Sequence, residues 1–436
     1  MGRLTISISV AKIQQFVRKT KKNLYVSAES CIFAALTLID MKGKLFEIAP
    51  LLPLAVCMMA GIVVGRYVSL PVSWWFFLLG GVAISLILRR YVHLQTVGIV
   101  ICFVFLGAAL MERQLLVERQ SSTVDTQDSR LSRSKTFFLH QRDILLQRLS
   151  DGGLHGDAYA VVAAMVLGDK SALTKELKDT YSVTGASHVL ALSGLHLSII
   201  YMLLSMFVVG RRRRVITQLL VIMAIWAFVF LVGMSVSVVR AAIMLSVYAL
   251  LSLGYRDKMS VNTLAFTAIV MLVFSPWSLF DIGFQMSFMA VLSILLWMPL
   301  FDHVFPTKWQ MEHLVVKWLW GMMAVSLAAQ LGVAPLIAYY FGRFSTYFLL
   351  TNVVVVPAAT IILWFSPMVI IVPSLAYILL YMVNSLNSLL TWIAALPGAS
   401  IEGLRPSLLQ VVMIYVVIAA VWLLIRKTSP TAGWSA

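Results

Sequence analysis

The chain has 436 residues, of which 61% are hydrophobic and 12% are charged, and its mean hydropathy is +0.92. An ordinary soluble domain is about 45–50% apolar and about 25% charged. The composition therefore excludes a water-soluble enzyme, a disordered chain, a collagen-like fibre and a disulfide framework. It predicts an all-α, polytopic helical integral membrane protein, in which length counts spanning segments rather than globular domains.

The formal net charge of +16 is concentrated in two places. Residues 1–44 carry a net charge of +6 and Arg211–Arg214 add four, which together make ten of the sixteen. Both segments fit cytoplasmic flanks under the positive-inside rule, so the charge alone does not indicate a nucleic-acid partner. The cysteines have no metal-ligand or CxxC spacing, and we interpret them as packing residues; they are Cys31, Cys57 and Cys102.

Apolar runs long enough to cross about 30 Å of hydrocarbon occur about twelve times. They lie near 48–68, 72–88, 94–111, 187–209, 215–232, 237–253, 262–280, 284–300, 318–341, 346–365, 367–383 and 408–425. A shorter apolar run at 386–397 is typical of a re-entrant or interfacial piece. We therefore expect about twelve transmembrane helices, some of them broken or re-entrant.

Loop charges predict the orientation of these spans. With the N-terminus inside, the cytoplasmic loops and tail carry Arg89, Arg90, Arg211–Arg214, Arg256, Lys258, Arg426 and Lys427. The opposite loops carry little positive charge, namely Arg66, Arg343 and Arg405. Both termini are thus expected to be cytoplasmic, provided that the polar stretch 112–157 lies outside.

The domain organisation before the main membrane region has three parts. Residues 1–44 are expected to form a basic cytoplasmic extension without a signal peptide, and Met41 is an alternative start. Residues 45–111 form a three-span segment. Residues 112–157 balance seven basic against seven acidic residues, and apolar positions at helical spacing in their second half predict an amphipathic helix on the outer surface.

Polar residues inside spans are functional candidates, because an ionisable group at mid-helix costs about 2.5–3.5 kcal/mol on the insertion scale. His188 and His196 are eight residues apart and share a broad helix face, and Ser193 and His196 are close enough to touch. The alternatives are a polar lining for a translocation path, satisfied packing, a Ser–His nucleophile pair or a metal site. Gly194 permits a close helix approach or a helix break.

Arg240 follows Ser237 near the start of the sixth span. It either snorkels to the outer interface or binds a phosphate or carboxylate group at the mouth of a cavity. Asp281 is expected to cap the helix that starts at Ile282, and Gln285 lies one turn further on.

Further polar and helix-breaking residues lie in the later spans. Gln330 and Asn352 can form hydrogen bonds across helices, and Pro335 frees a backbone carbonyl. Together with Gly332 they predict broken helices around a cavity. The pair Gly61 and Gly65 predicts close helix packing.

Seven short elements, which fall in one order within about residues 155–400, resemble the ComEC competence protein family. They are 167–170 (LGDK), 184–196 (TGASHVLALSGLH), 237–241 (SVVRA), 281–288 (DIGFQMSF), 329–335 (AQLGVAP), 340–345 (YFGRFS) and the stretch from Asn352 to Pro357. The pattern H-x-L-A-x-S-G-L-H is specific to this resemblance. The resemblance implies that residues 158–426 form a competence-type channel domain in the bacterial inner membrane.

The resemblance also implies a function, which is the uptake of single-stranded DNA through the inner membrane during natural transformation. Such a channel needs no cofactor or metal ion and is not an enzyme. A strand needs a wet path with cationic and hydrogen-bonding groups. The channel-lining or structural candidates are His188, Ser193, Gly194, His196, Ser237, Arg240, Asp281, Gln285, Gln330, Arg343 and Asn352.

The chain departs from the family pattern in two respects. Members of the family commonly carry an external OB-type domain, and many end in a metallo-β-lactamase-like domain. Here the second half of 112–157 is predicted to be helical, which leaves about 24 residues, too few for five strands plus loops, and no H-x-H-x-D-H cluster is present. We therefore expect a short form that passes the strand to the cytoplasm without its own nuclease domain. Besides DNA and the lipid bilayer, its expected partners are an external DNA receptor and a cytoplasmic helicase-type motor, and a homo-oligomer is compatible with the sequence.

Two other functions remain open on the residues alone. One is an intramembrane hydrolase built on Ser193 and His196. The other is a transporter for a small anion, in which Arg240 binds a carboxylate or a phosphate monoester.

Overall fold

The computed structural model describes residues 49–68, 73–121, 129–206, 214–253, 261–302 and 313–428. The predictions for residues 1–44 and for Arg211–Arg213 lie outside these described residues. The α-helices in the described part, in chain order, are α1 (Leu51–Tyr67), α2 (Trp74–Ile87), α3 (Val92–Ser121), α4 (Ser129–Asp151), α5 (Gly156–Val162), α6 (Lys175–Val183), α7 (Ser187–Leu190), α8 (Gly194–Met206), α9 (Arg214–Leu231), α10 (Val236–Leu253), α11 (Val261–Phe274), α12 (Ile282–Phe301), α13 (Leu314–Phe341), α14 (Phe348–Ile371), α15 (Ala376–Ala394) and α16 (Leu408–Thr428).

Short elements connect some of these helices. A π-helical turn, Ala163–Leu167, continues α5, and 3-10 turns cover Leu88–Arg90, Pro276–Phe280 and Pro373–Leu375. Strands β1 (Arg343–Ser345) and β2 (Ser400–Glu402) pair antiparallel, with Phe344 opposite Ile401.

The helices confirm the predicted fold class, an all-α polytopic membrane protein. Six of them are long and apolar enough to cross a membrane: Leu94–Arg119 within α3, then α12, α13, α14, α15 with its preceding turn, and α16 up to Arg426. Seven shorter apolar helices accompany them. Each of the twelve predicted spans overlaps one of these helices.

The predicted boundaries near the C-terminus are wrong. Helix α14 runs through Pro367 to Ile371, and α15 extends to Ala394, so it includes most of the run 386–397 that was expected to form a re-entrant or interfacial piece. A proline interrupts a spanning helix only when neighbouring groups fail to satisfy the freed carbonyl. The chain breaks instead at Val372, whose backbone is extended (φ −125°, ψ 90°) before Pro373.

The described residues form two compact units. Unit 1 comes from the described parts of Met1–Asp125, Ala268–Gln285 and Pro406–Ala436. Unit 2 comes from those of Thr126–Thr267 and Met286–Arg405.

Unit 1 is organised by the packing of α1 on α3. Gly61 and Gly65 face the backbone of α3, and a Cβ at Gly61 would overlap the carbonyl of Val104. This confirms the close packing predicted from the Gly61–Gly65 spacing. Helix α2 is tied to the same helix by Glu112, whose carboxylate accepts hydrogen bonds from the Ser73 hydroxyl (2.7 Å) and the Trp74 backbone N–H (3.1 Å).

Unit 2 contains a helical hairpin made of α4 and α5. Leu149 of α4 is fully buried in the same apolar cluster as Val369 of α14 and Leu379 of α15. The turn at Gly152 lies beside Val369, which is about 30 Å from the start of α14 at 1.5 Å per residue.

Helix α4 lies where the sequence predicted an amphipathic helix. The residue pattern correctly predicted one apolar face on α4, but that face packs into the core of unit 2. Residues 112–121, which were assigned to the same polar segment, continue α3 as helix.

Broken helices around Gln330, Pro335 and Asn352 are not found. Helix α13 continues through Gln330 and Pro335, and α14 continues through Asn352. Gly332 instead allows α13 to approach α12 closely, because its hydrogen faces the Met289 carbonyl. The Ser293 hydroxyl donates to the Ala328 carbonyl at 2.6 Å and joins the same two helices.

We predict that Gly61→Leu lowers the stability of the protein by about 1–3 kcal/mol, because the added side chain forces α1 away from α3. The midpoint of thermal unfolding in detergent measures this effect. Gly80→Leu is the matched control, since a Cβ at Gly80 has no neighbour within 4 Å in the described structure. Equal midpoints for the two variants would contradict the packing argument.

Candidate functional site

The candidate site in unit 2 is defined by a helix break within a segment that the sequence predicts to span the membrane. Helix α7 ends at Leu190, α8 begins at Gly194, and Ala191–Ser193 between them are not helical. Ala191 has extended backbone dihedrals (φ −96°, ψ 125°). The sequence had predicted one span over 187–209 and a close approach or break at Gly194, and the structure contains the break.

Ser193 and His196 cap the start of α8. The Ser193 backbone N–H donates to Nδ1 of His196 (3.3 Å), and the Ser193 hydroxyl oxygen lies 3.0 Å from the same nitrogen. The bond from the Ser193 N–H to the side chain three residues on is one half of a capping box. The predicted contact between the two side chains is confirmed.

His196 keeps one polar atom without a hydrogen bond. Because Nδ1 accepts from a backbone N–H, the neutral ring carries its proton on Nε2. His196 is 1% exposed, and within the described residues Nε2 has no hydrogen bond of good geometry, although the Val189 backbone lies near the ring.

His188 lies on the other side of the break. Its Nδ1 is 3.1 Å from the Gly185 carbonyl, and its side chain is exposed. The expectation that His188 and His196 share one helix face is wrong, because the break separates their helices. The two rings nevertheless lie within electrostatic range of each other.

Arg240 is buried in α10, the helix that packs against the start of α8. It is 3% exposed, and its guanidinium carbon lies 5.8 Å from the centre of the Phe288 ring. The snorkelling interpretation is therefore wrong, since snorkelling requires the charged end to reach water. Gly194 faces Ala241, the next residue of α10, and Ser237 lies half-buried one turn before Arg240.

Helix α14 carries a further predicted residue, Asn352. Both α7 and α8 contact α14, whose first turn carries Thr351 and Asn352. The Thr351 hydroxyl and Oδ1 of Asn352 are buried and have no hydrogen-bond partner in the described part of the chain. Gln330 is half-buried on α13, which packs beside α14.

Asp281 and Gln285 belong to unit 1. Oδ2 of Asp281 accepts the Phe284 backbone N–H at 2.9 Å, which confirms the predicted helix cap at the start of α12. Gln285 is 1% exposed, and its Nε2 donates to the Leu279 carbonyl at 3.0 Å.

Arg343 is held in a cluster of polar groups in unit 2. Its Nη1 donates to the Ser182 hydroxyl (3.1 Å) and lies 3.7 Å from Asp179, and its Nη2 lies 3.5 Å from Glu402. The cluster joins α6, β1 and β2. These three elements lie on the same side of the membrane in the predicted topology.

Helix α6 is also fixed to α15 by a tyrosine. Burial raises the pKa of the Tyr181 hydroxyl, and nearby Asp157 raises it further. The hydroxyl therefore stays protonated and donates to Oδ1 of Asn387 at 2.8 Å.

Sequence reasoning missed the partners of the two arginines. Phe288 under Arg240, and Asp179 and Glu402 around Arg343, were not singled out. A cation in an apolar segment does indicate that it has a partner. The sequence does not identify that partner, because the two residues lie far apart along the chain and no local spacing relates them.

The break and the helices that pack near it carry groups that can bind an anion or a polar chain. The Nε2–H of His196 donates, the Asn352 carbonyl oxygen accepts, and a guanidinium can bind a phosphate through two parallel hydrogen bonds. Nucleophilic chemistry is less well supported. Nδ1 of His196 is already bonded to the Ser193 backbone, and in the described part of the chain no carboxylate orients the ring through Nε2.

Comparison with known proteins places the chain among competence proteins. The model of the family described as "Competence protein" matches residues 165–428. ComE operon protein 3 of Bacillus subtilis (strain 168) is 32% identical over 209 residues, which cover 47% of this chain and 25% of that protein. An uncharacterized protein of Aquifex aeolicus (strain VF5) is 31% identical over 201 residues, which cover 46% of this chain and 45% of that protein.

These matches span less than half the length of either relative. No solved structure matches the chain. The family match covers more than half of the chain and includes the helix break, the buried arginine of α10 and the β1–β2 pair. The chain belongs to the competence protein family.

Proposed function

We propose that unit 2 provides a path through which single-stranded DNA crosses the bacterial inner membrane during natural transformation. The observation that carries this proposal is the non-helical backbone at Ala191–Ser193, between the one-turn helix α7 and the apolar helix α8. Non-helical backbone at membrane depth is tolerated only where it is buried in protein or lines a water-filled cavity. Membership of the competence family supports DNA as the substrate.

The groups around the break suit a strand that must move. A nucleic-acid backbone carries one negative charge per nucleotide, and unstacked bases add hydrogen-bonding edges. A buried guanidinium on α10, with histidine, serine and asparagine side chains on the nearby helices α7, α8 and α14, matches both needs. We assign Arg240 as the phosphate contact and His188, His196 and Asn352 as polar lining.

The same proposal makes the protein a passive conduit rather than an enzyme. The Ser193–His196 contact acts as a helix cap that stabilises the first turn of α8. The movement of DNA then depends on other proteins, namely an external DNA receptor and a cytoplasmic helicase-type motor. The loop charges support a cytoplasmic location of both termini in this proposal.

We predict that Arg240→Gln lowers transformation about 10- to 100-fold in a strain whose own gene is deleted. Charge-assisted hydrogen bonds contribute about 1.5–3 kcal/mol, and each 1.4 kcal/mol is tenfold. Transformants per recipient with linear marker DNA measure the effect. Arg240→Lys keeps a point charge without the planar fork and should fall between the wild type and Arg240→Gln.

The matched control is Arg148→Gln, which removes an exposed arginine from α4 in the same unit. Membrane levels are equalised by blot, and a lower thermal midpoint of purified Arg240→Gln would identify a folding defect. Wild-type transformation by Arg240→Gln at equal level would remove Arg240 from the path. A demonstrably competent parent that transforms equally well without the gene would overturn the DNA-path proposal itself.

The hydrolase alternative is tested by Ser193→Ala. If the hydroxyl only supports the cap, we expect transformation to fall less than about threefold, because the His196 bond to the Ser193 backbone remains. A Ser–His nucleophile would instead lose its activity completely. Loss of transformation in Ser193→Ala, with membrane level and thermal midpoint unchanged, would favour catalysis over conduction.

A further inference from the structure

A third arginine, Arg66 near the end of α1, lies in a cluster of aromatic rings in unit 1. Its guanidinium carbon is 4.3 Å from the centre of the Phe280 ring, 4.6 Å from Trp277 and 5.5 Å from Tyr67. Trp277 and Phe280 themselves meet edge to face at 5.8 Å. We call these four residues the Arg66 cluster.

Two hydrogen-bond donors in the Arg66 cluster have no acceptor. Nη1 of Arg66 and Nε1 of Trp277 are both buried, and neither has a hydrogen-bond partner in the part of the chain that the structure describes. Buried donors are almost always paired in folded proteins. These two donors, one of them cationic, are thus available to a ligand with acceptor oxygens.

The charge balance of the cluster also favours an anion. The rings interact with the cation through their faces but do not neutralise it. Glu118 of α3 lies within electrostatic range of the guanidinium. Among the described residues, Arg66 forms no ion pair with a carboxylate. A bound anion would therefore contact the guanidinium directly, and Glu118 would interact with the same guanidinium only at longer range.

The location of the cluster identifies the class of anion. Helix α1 ends at Tyr67, the apolar part of α3 ends at Arg119, and α11 ends at Phe274 just before Trp277. Tryptophan, tyrosine and arginine at the ends of spanning helices lie at the depth of lipid headgroups. At this depth the abundant oxyanion is the phosphate of a phospholipid.

We propose that the Arg66 cluster binds the phosphate of a phospholipid headgroup. Arg66 donates to the phosphate oxygens through its planar fork, and the Trp277 indole N–H donates a further hydrogen bond. The aromatic rings fix the guanidinium and cover the glycerol end of the lipid. This site is independent of the DNA path proposed for unit 2.

The test is native mass spectrometry of the purified full-length protein in detergent with added phosphatidylglycerol. We expect Arg66→Gln to weaken binding of one phosphatidylglycerol at least tenfold, and Trp277→Phe, which keeps the ring but removes the N–H, about threefold. Glu118→Gln should strengthen binding, because it removes a competing negative charge. Arg426→Gln is the matched control, since Arg426 also stacks on a tryptophan, Trp422, at 5.2 Å.

Three further additions distinguish the sources of the anion: diacylglycerol, which lacks phosphate, inorganic phosphate, and a single-stranded oligonucleotide. Equal phosphatidylglycerol binding by the wild type and Arg66→Gln would overturn the proposal. Retention of diacylglycerol by the wild type equal to its retention of phosphatidylglycerol would also overturn it. Arg66-dependent binding of the oligonucleotide or inorganic phosphate, without phosphatidylglycerol binding, would also overturn it. If Arg66→Gln does not fold, Trp277→Phe and Glu118→Gln decide the question, and opposite changes in affinity are the supporting result.

Discussion

Unsatisfied backbone groups are costly inside a membrane, and this constraint determines how unit 2 is built. Three residues, Ala191–Ser193, leave the helical conformation between α7 and α8. The side chains of Ser193 and His196 restart the next helix, and α10 and α14 pack against it. Within the break, Leu192 is buried and Ala191 and Ser193 are half-buried. A stable fold requires that non-helical backbone be kept away from hydrocarbon. A water-filled path for a polar chain has the same requirement.

Local patterns in the sequence predicted the features that depend on neighbours along the chain. Apolar length located the spans, the position of Asp281 predicted its cap on α12, and the spacing of Gly61 and Gly65 predicted close packing of α1. Prolines were less informative. A proline such as Pro335 bends or breaks a helix only if its surroundings cannot compensate, and those surroundings come from other helices. The apolar face of α4 was likewise predicted, but a pattern does not tell whether lipid or protein covers that face.

The contacts in the candidate site are likewise of two kinds, local contacts that the sequence predicted and long-range contacts that it did not. Ser193 and His196 are three residues apart, so their contact follows from local geometry. The partners of Arg343 lie more than 160 residues before it at Asp179 and almost 60 residues after it at Glu402. Only the tertiary fold brings these charges together. Phe288 beneath Arg240 is a similar case, since α10 and α12 are separated by a whole helix in sequence.

Arg66 and Arg343 were expected in outer loops, and Arg240 near the outer interface. The residues around each arginine indicate a different role for each. Arg343 lies among two carboxylates and a hydroxyl, so its charge is balanced by the protein and it holds α6 to the strands. Arg66 lies among aromatic rings with unsatisfied donors, which favours a resident anion that stays bound. A moving strand needs a contact that is strong enough to admit each phosphate and weak enough to release it, as for ions in a pore. Of the three, Arg240 is the one beside the helix break, so its substitution is the most direct test of passage.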